Sequence, residues 1–230
     1  MSAHLKRSPS DSQDPDVKSG RIGIDESGKG DYFGPLVIAA VHVTPESEPD
    51  LRLMEVRDSK RISDGRILEM APDIRQACKH SVVAIGPQRY NELYAKIRNL
   101  NRLLGWGHAR ALENLLEQVD CGLVIADQFG DERFVRSALL EKGKQVRLIQ
   151  KPKAETDLAV AAASILARAE FLLRLKRLSE DVGTSLPKGA SSAVELAARM
   201  VLKKHGKDRL ATIAKMHFKT TQAVLAEGSG

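Results

Sequence analysis

Two apolar runs, RIGID (Arg21–Asp25) and LVIAAVHV (Leu36–Val43), stand on either side of a glycine-rich turn. Nothing else in the chain constrains its fold as strongly, because runs this short, β-branched and separated by such a turn read as a strand pair and not as helix. His80–Ile85 reads as a third strand, CGLVIADQFG as a buried fourth ending at Asp127, and Gln145–Ile149 as a fifth. Between the third and fourth, Pro87–Val119 has helical spacing, with Leu103, Leu104, Ala111, Leu112, Leu115 and Leu116 recurring every three or four residues. The remainder is helical. DLAVAAASILARAEFLLRLKRL is long and alanine-rich, as expected of a helix packed tightly against a sheet. SAVELAARMVLKKHG carries Ser192 and Glu195 at capping-box spacing and Gly206 as a stop, and a final helix follows Asp208. No repeat or low-complexity array is visible. The pattern specifies one α/β domain: a lead over residues 1–20, a core over 21–180 and a helical C-terminal subdomain over 181–230.

A chain of 230 residues with 42% hydrophobic content can bury an ordinary core, which excludes disorder throughout. The lead, MSAHLKRSPSDSQDPDVKSG, is rich in Ser, Pro, Asp and Lys and reads as disordered. It lacks the apolar run of a signal peptide, and no later stretch approaches the roughly 18 apolar residues of a membrane span. Cys78 and Cys121 are too few and unpatterned for a disulfide framework or a zinc site, so a soluble, cytoplasmic protein with plain core thiols is expected. The net charge of +6 is unevenly placed: Ile165–Gly230 holds 12 Lys and Arg against 6 Asp and Glu, so the preceding part is balanced. A basic region beside an acidic centre suits a polyanionic substrate.

The acidic centre begins in GIDESGKGDYFGPL (Gly23–Leu36). Its start has the spacing of a phosphate-binding P-loop, but that motif needs Ser or Thr after the lysine, and Gly30 follows Lys29 here. It also places two carboxylates, Asp25 and Glu26, inside the loop, which favours a metal-centred reading. Should the strands ending at Asp25 and Asp127 be neighbours, three acids converge at one sheet edge, where α/β sheets usually place their chemistry. Hard divalent cations take oxygen ligands, and a pair of them can stabilise both the attacking and departing oxygens of a phosphoryl displacement.

GIDESGKGDYFGPLVIAA resembles the first signature of the type 2 ribonucleases H, and GDYFGP is similar to that of the ribonuclease HIII branch. DSKRISDGR (Asp58–Arg66), YNELYAKIRNLNRLLGWGHARALENLL (Tyr90–Leu116), ADQFG (Ala126–Gly130), PKAETDLAVAAASILAR (Pro152–Arg168), LPKGAS (Leu186–Ser191) and KMHFKTT (Lys215–Thr221) extend the resemblance, which spans about Arg21 to Val224. It implies a ribonuclease H-like mixed five-stranded sheet flanked by helices. It further implies an endonuclease that cuts the RNA strand of RNA–DNA hybrids with Mg2+ or Mn2+, two per site with substrate bound, leaving 5′-phosphate and 3′-hydroxyl ends. Asp25, Glu26 and Asp127 match the first three acids of the family site and Glu155 the fourth; Asp157, two residues on at the start of the Ala-rich helix, is the alternative fourth acid and otherwise an N-cap or first-turn residue.

The turn Ser27, Gly28, Lys29 and Gly30 matches the one with which the family touches the ribose backbone, and glycines permit that approach. Because a 2′-hydroxyl can be sensed without reading bases, cleavage is expected to be largely sequence-neutral. Ser59 and Lys60 fit a phosphate contact at a helix start. Lys203, Lys204, Lys207, Lys215, His217 and Lys219 are candidates for tracking phosphates, and with 4% aromatic residues extensive base stacking is not expected. His108 and Asn114 sit mid-helix, where packing and hydrogen bonding are the usual roles, and are not assigned to the site; Trp106 reads as a core or helix-entry residue. The HIII branch usually carries a separate N-terminal substrate-binding domain, which a lead of about 20 residues does not encode, so the catalytic domain is expected to grip substrate alone, as a monomer, or with a partner's help. The sister HII branch uses a C-terminal tyrosine to recognise a single embedded ribonucleotide. With no Tyr beyond Tyr94, stretches of ribonucleotides are the expected substrate. HII-type cleavage at single ribonucleotides and a non-catalytic hybrid-binding module are the alternatives.

Overall fold

The structure, a computed structural model, describes residues 19–226, so the expected disordered lead lies outside the described residues except for Ser19 and Gly20. Five strands, β1 (Arg21–Ser27), β2 (Leu36–Val43), β3 (Lys79–Ile85), β4 (Leu123–Asp127) and β5 (Arg147–Lys151), form one sheet in the order β3-β2-β1-β4-β5. β1 and β2, and β2 and β3, pair antiparallel, whereas β1 with β4 and β4 with β5 pair parallel, giving the expected mixed sheet. The helices are α1 (Glu48–Leu53), α2 (Asp64–Ala77), α3 (Pro87–Ile97), α4 (Leu100–Leu116), α5 (Arg133–Arg136), α6 (Leu158–Val182), α7 (Ser192–Ile213) and α8 (Lys219–Ala226).

Both faces of the sheet are covered, which is why β2 reads as an unbroken apolar run. Its Val37, Ala39, Val41 and Val43 join a core with α2, α6 and α7, while Leu36, Ile38 and Ala40 join a second core with α3 and α4. On β1, Ile22 and Ile24 point to the second core. Gly23 points the other way, and a Cβ there would lie 2.1 Å from the Ala159 carbonyl carbon. The backbone of α6 therefore rests directly on β1, and its buried Ala159, Ala161, Ala162 and Ala163 keep that approach close.

The expected helical block Pro87–Val119 is two helices. Arg98 takes a left-handed backbone, φ 50°, and the Asn99 side chain accepts from the Arg102 N–H to start α4. α2 had no periodic signal, because Gly65 and Pro72 interrupt its pattern; its N-cap Ser63 accepts from the Arg66 N–H. The capping box at Ser192 and Glu195 does not form: Ser191 is the N-cap, without a side-chain cap bond. Gly206, at φ 79° and ψ 175°, interrupts α7 as expected, but helix resumes to Ile213 and α8 begins only at Lys219. α7 and α8 share the core of α6 through Val194, Ala198, Val201, Leu210 and Val224. Among the described residues no helix is long and apolar enough to cross a membrane.

Candidate active site

The parallel register pairs Ile24 with Ala126. Asp25 and Asp127, one step further along each strand, therefore stand side by side at adjacent strand ends. Because Ile24 and Ala126 both face the second core, period-two alternation turns Asp25 and Asp127 to the opposite face, that of α6. Asp127 Oδ1 accepts from the Ala154 N–H at 3.2 Å, and Asp25 Oδ1 from the Glu26 N–H at 2.8 Å. Glu26 is turned to the other face, where its Oε2 lies 3.0 Å from Nε2 of the buried His108 and its Oε1 lies 3.7 Å from Lys29 Nζ. All three acids line one open cleft of about 730 Å3, together with Ser27, Gly28, Lys29, Gly30, Ser59 and Lys60.

Burial, then the charges of Glu26 and Asp127, push the Asp25 carboxyl well above its usual value, against the Glu26 amide and Lys60. Burial acts in the same direction on Glu26, but the His108 hydrogen bond and the cations Lys29 and Lys60 outweigh it and hold that carboxyl below its usual value. Two acids side by side thus experience opposite fields, a pattern common at functional sites.

The turn after β1 is built to hold one shape on its inner side and to leave the other side open. Gly28 has φ 89°, and a Cβ there would lie 2.1 Å from the Pro35 carbonyl oxygen. At Gly30, by contrast, nothing stands within 4 Å of where a Cβ would be. Asp31 Oδ1 accepts from the Gly189 N–H at 2.7 Å, tying the turn to LPKGAS. Lys215 is fully buried and donates to the Asp31 and Gly34 carbonyls, each at 2.7 Å, so it bolts the turn from beneath and does not track phosphates. Lys203, Lys204, Lys207, His217 and Lys219 are exposed, with His217 stacked on Tyr94 at 4.1 Å between ring centroids.

Ser59 and Lys60 do not stand at an α-helix start. They lie in a single 3-10 turn, Ser59–Arg61, whose amides are already used: the Ser59 N–H donates to Ser164 Oγ and the Lys60 N–H to Asp58. The Lys60 ammonium, exposed at the cleft, is what this segment offers to an anion. On the far wall Arg168 and Lys188 both pair with Asp64, Arg168 at 3.3 Å. Glu155 lies in the 3-10 turn Ala154–Thr156, beside the amide that holds Asp127 but not in the cleft wall. Asp157 is the N-cap of α6, accepting from the Ala159 N–H, and pairs with Arg21 at 2.8 Å. Trp106, read as a core or helix-entry residue, is 37% exposed on α4.

His108 is the residue that sequence reasoning passed over. Its signal was present: it falls four residues after Leu104 and four before Leu112, on the apolar face of α4, where a polar ring needs a partner. Phe129, Arg168, Lys188 and Asp64 of the cleft wall fall within the segments that carry the family resemblance, but nothing local points to them individually, since only folding brings those segments together.

Among the described residues no group of three or more His, Cys, Asp or Glu side chains already converges as a metal cage. The donor set nevertheless fits a hard divalent cation, which commonly takes one or two carboxylates and completes its shell with water and substrate phosphate. The burial and the acid–acid repulsion that raise Asp25 are what such a cation offsets.

The family model described as Ribonuclease HII matches residues 22–221. Ribonuclease HIII of Protochlamydia amoebophila (strain UWE25) is 50% identical over 206 residues, covering 90% of this chain and 68% of that protein. Ribonuclease HIII of Chlamydia pneumoniae is 46% identical over 203 residues, covering 87% and 68%. Bst-RNase HIII, solved in complex with Mn2+, is similar with a TM-score of 0.86 at 32% identity, over 99% of this chain and 76% of that one.

Proposed function

The chain belongs to the ribonuclease HII family, and on that premise we propose that it is an endonuclease of the HIII type, hydrolysing the RNA strand of RNA–DNA hybrids to 5′-phosphate and 3′-hydroxyl ends. The observation that carries this reading is the pair Asp25 and Asp127 on adjacent parallel strand ends, opening into a cleft that Lys29 and Lys60 also line. Asp25, Glu26, Asp127 and Glu155 would hold Mg2+ or Mn2+, and the Mn2+ complex of Bst-RNase HIII supports that donor chemistry. When bound, two such ions supply Lewis-acid stabilisation of the attacking and departing oxygens of an in-line displacement by water.

The rest of the work falls to the chain itself. The open side of Gly30 lets backbone approach a sugar, where a 2′-hydroxyl can be sensed irrespective of base. Lys29 and Lys60 offer ammonium groups to the flanking phosphates, while the Asp31 carboxylate ties the turn to Gly189 of LPKGAS and the Lys215 bolt holds it from beneath. A binding module alone would gain nothing from three carboxylates facing phosphates, which argues for catalysis. Buried thiols at Cys78 and Cys121 accord with a reducing cytoplasm.

The decisive assay offers a hybrid and, separately, a duplex with one embedded ribonucleotide, each with Mg2+ or Mn2+. Cleavage of the hybrid at several ribonucleotides is expected; cleavage of the second substrate alone would move the chain to HII-type specificity. Asp127→Asn should lower kcat by at least about 100-fold, with the circular dichroism spectrum unchanged, and near-normal turnover would remove Asp127 from the site.

A further inference from the structure

We infer that His108 is a positioning residue that fixes the Glu26 carboxylate in the orientation a cation requires; the inference rests on the reading of Glu26 as a metal ligand. His108 has no exposed surface, and its Nε2 lies 3.0 Å from Glu26 Oε2. Facing a carboxylate, that nitrogen carries the hydrogen and donates it. The other ring nitrogen, Nδ1, is buried without a hydrogen-bond partner among the described residues. A buried unpaired nitrogen costs stability, and a leucine would fill the same place without it. What the imidazole adds in return is one N–H aimed at Glu26.

The neighbours keep that N–H on target. The Phe129 ring packs at 4.7 Å from the imidazole, inclined by 55°, which limits rotation of the ring. Lys29 Nζ stands 5.7 Å over the same Phe129 ring and 3.7 Å from Glu26 Oε1. With Oε2 tied to His108, the carboxylate no longer turns about its last torsion, and Oε1 is the oxygen presented beside Lys29. Partners of a ligating group set its orientation and basicity, and their removal commonly weakens metal binding or activity by about 10–100-fold.

The test compares His108→Leu, His108→Gln and His108→Asn with the parent chain, using Mn2+ titration calorimetry without nucleic acid and steady-state cleavage of a hybrid. Leu fills the site and donates nothing; Gln offers an amide N–H at a reach close to that of Nε2; Asn is too short. Mn2+ affinity and kcat should both fall roughly 10–100-fold in His108→Leu, with KM for the hybrid little changed, and Gln should recover most of each loss. Parental Mn2+ affinity and kcat in His108→Leu would overturn the inference, as would a Gln variant that folds yet is as impaired as Leu. If the Leu variant does not fold, Asn takes its place, and an Asn variant equal to Gln overturns it. Glu26→Gln separates the two levels: parental Mn2+ affinity there denies Glu26 its role and sinks the underlying reading, whereas impairment there with a normal His108→Leu denies only His108.

Discussion

Asp25, half-buried in the cleft, and Lys215, fully buried, are charges with opposite consequences. Burial and the neighbouring Glu26 and Asp127 raise the Asp25 carboxyl above its unfolded value, so its contribution to stability is present in acid and lost as pH rises through the folded value. At pH 7–8 in chelator, Asp25→Asn should therefore melt higher than the parent chain, each ~1 kcal/mol of gain reading as about 2–4 °C at this size. The gain should vanish below about pH 3, where the group is protonated in both states. Saturating Mn2+ should raise the parental melting temperature and leave Asp25→Asn unmoved, which differential scanning fluorimetry reads directly. For Lys215, burial pulls the ammonium down to about 7 against the charge of Asp31, from an ordinary 10.5. Between those values the unfolded chain holds a proton that the folded chain has released, so stability from this group rises with pH across that window. The stability difference between the parent and Lys215→Met should grow from pH 7 to 9 by up to about 1.4 kcal/mol per pH unit in urea titrations. A neutral amine still has two hydrogens for the two carbonyls, so the bolt itself survives deprotonation.

At the level of elements, one contact decides where the site lies: α6 on β1. Gly23 allows it, and the Ala-rich stretch of α6 sustains it. Gly23→Ala would drive a methyl into the Ala159 backbone, which has no rotamer with which to yield, and should cost at least about 3 kcal/mol or prevent folding. Gly30→Ala is the contrasting case, meeting nothing within 4 Å; its stability should stay within about 0.5 kcal/mol of the parent while hybrid affinity falls. The two glycines look alike in sequence, yet one serves packing and the other faces open space. The helix start expected at Ser59 has the same lesson in reverse. A phosphate-ready N-terminus was a fair reading of DSKR, but α6 supplies Ser164 Oγ to the Ser59 amide, and Asp58 takes the next one. The leucine periodicity of this block belongs to α4 alone, and the left-handed backbone of Arg98 followed by the extended Asn99 separates it from α3.

Over the whole molecule, the +6 charge meets the cleft through few side chains. Arg168 and Lys188 are both engaged by Asp64, whereas Lys60 has no ion pair among the described residues. Hybrid binding should fall linearly on a log–log plot against salt, and Lys60→Ala should reduce the slope by about 0.7–0.9, the loss of one phosphate contact. Fluorescence anisotropy in Ca2+, across a salt series, measures both slopes. The five strands, the adjacent acids Asp25 and Glu26, Asp127 at the end of β4 and the glycine turn were all legible in the chain, because hydrophobic period, β-branching and turn composition act over neighbouring residues, although β1 runs on through both acids to Ser27 instead of leaving them in the loop. What the sequence by itself determined was therefore the strands of an α/β sheet and the acids carried at their ends. Tertiary structure alone decided that β1 and β4 are parallel neighbours in register, that His108 reaches Glu26 across 82 positions of chain, and that Lys215 lies beneath Asp31 instead of at the surface. These depend on which faces pack together, a competition among buried areas and unpaired polar groups that no local stretch of residues encodes.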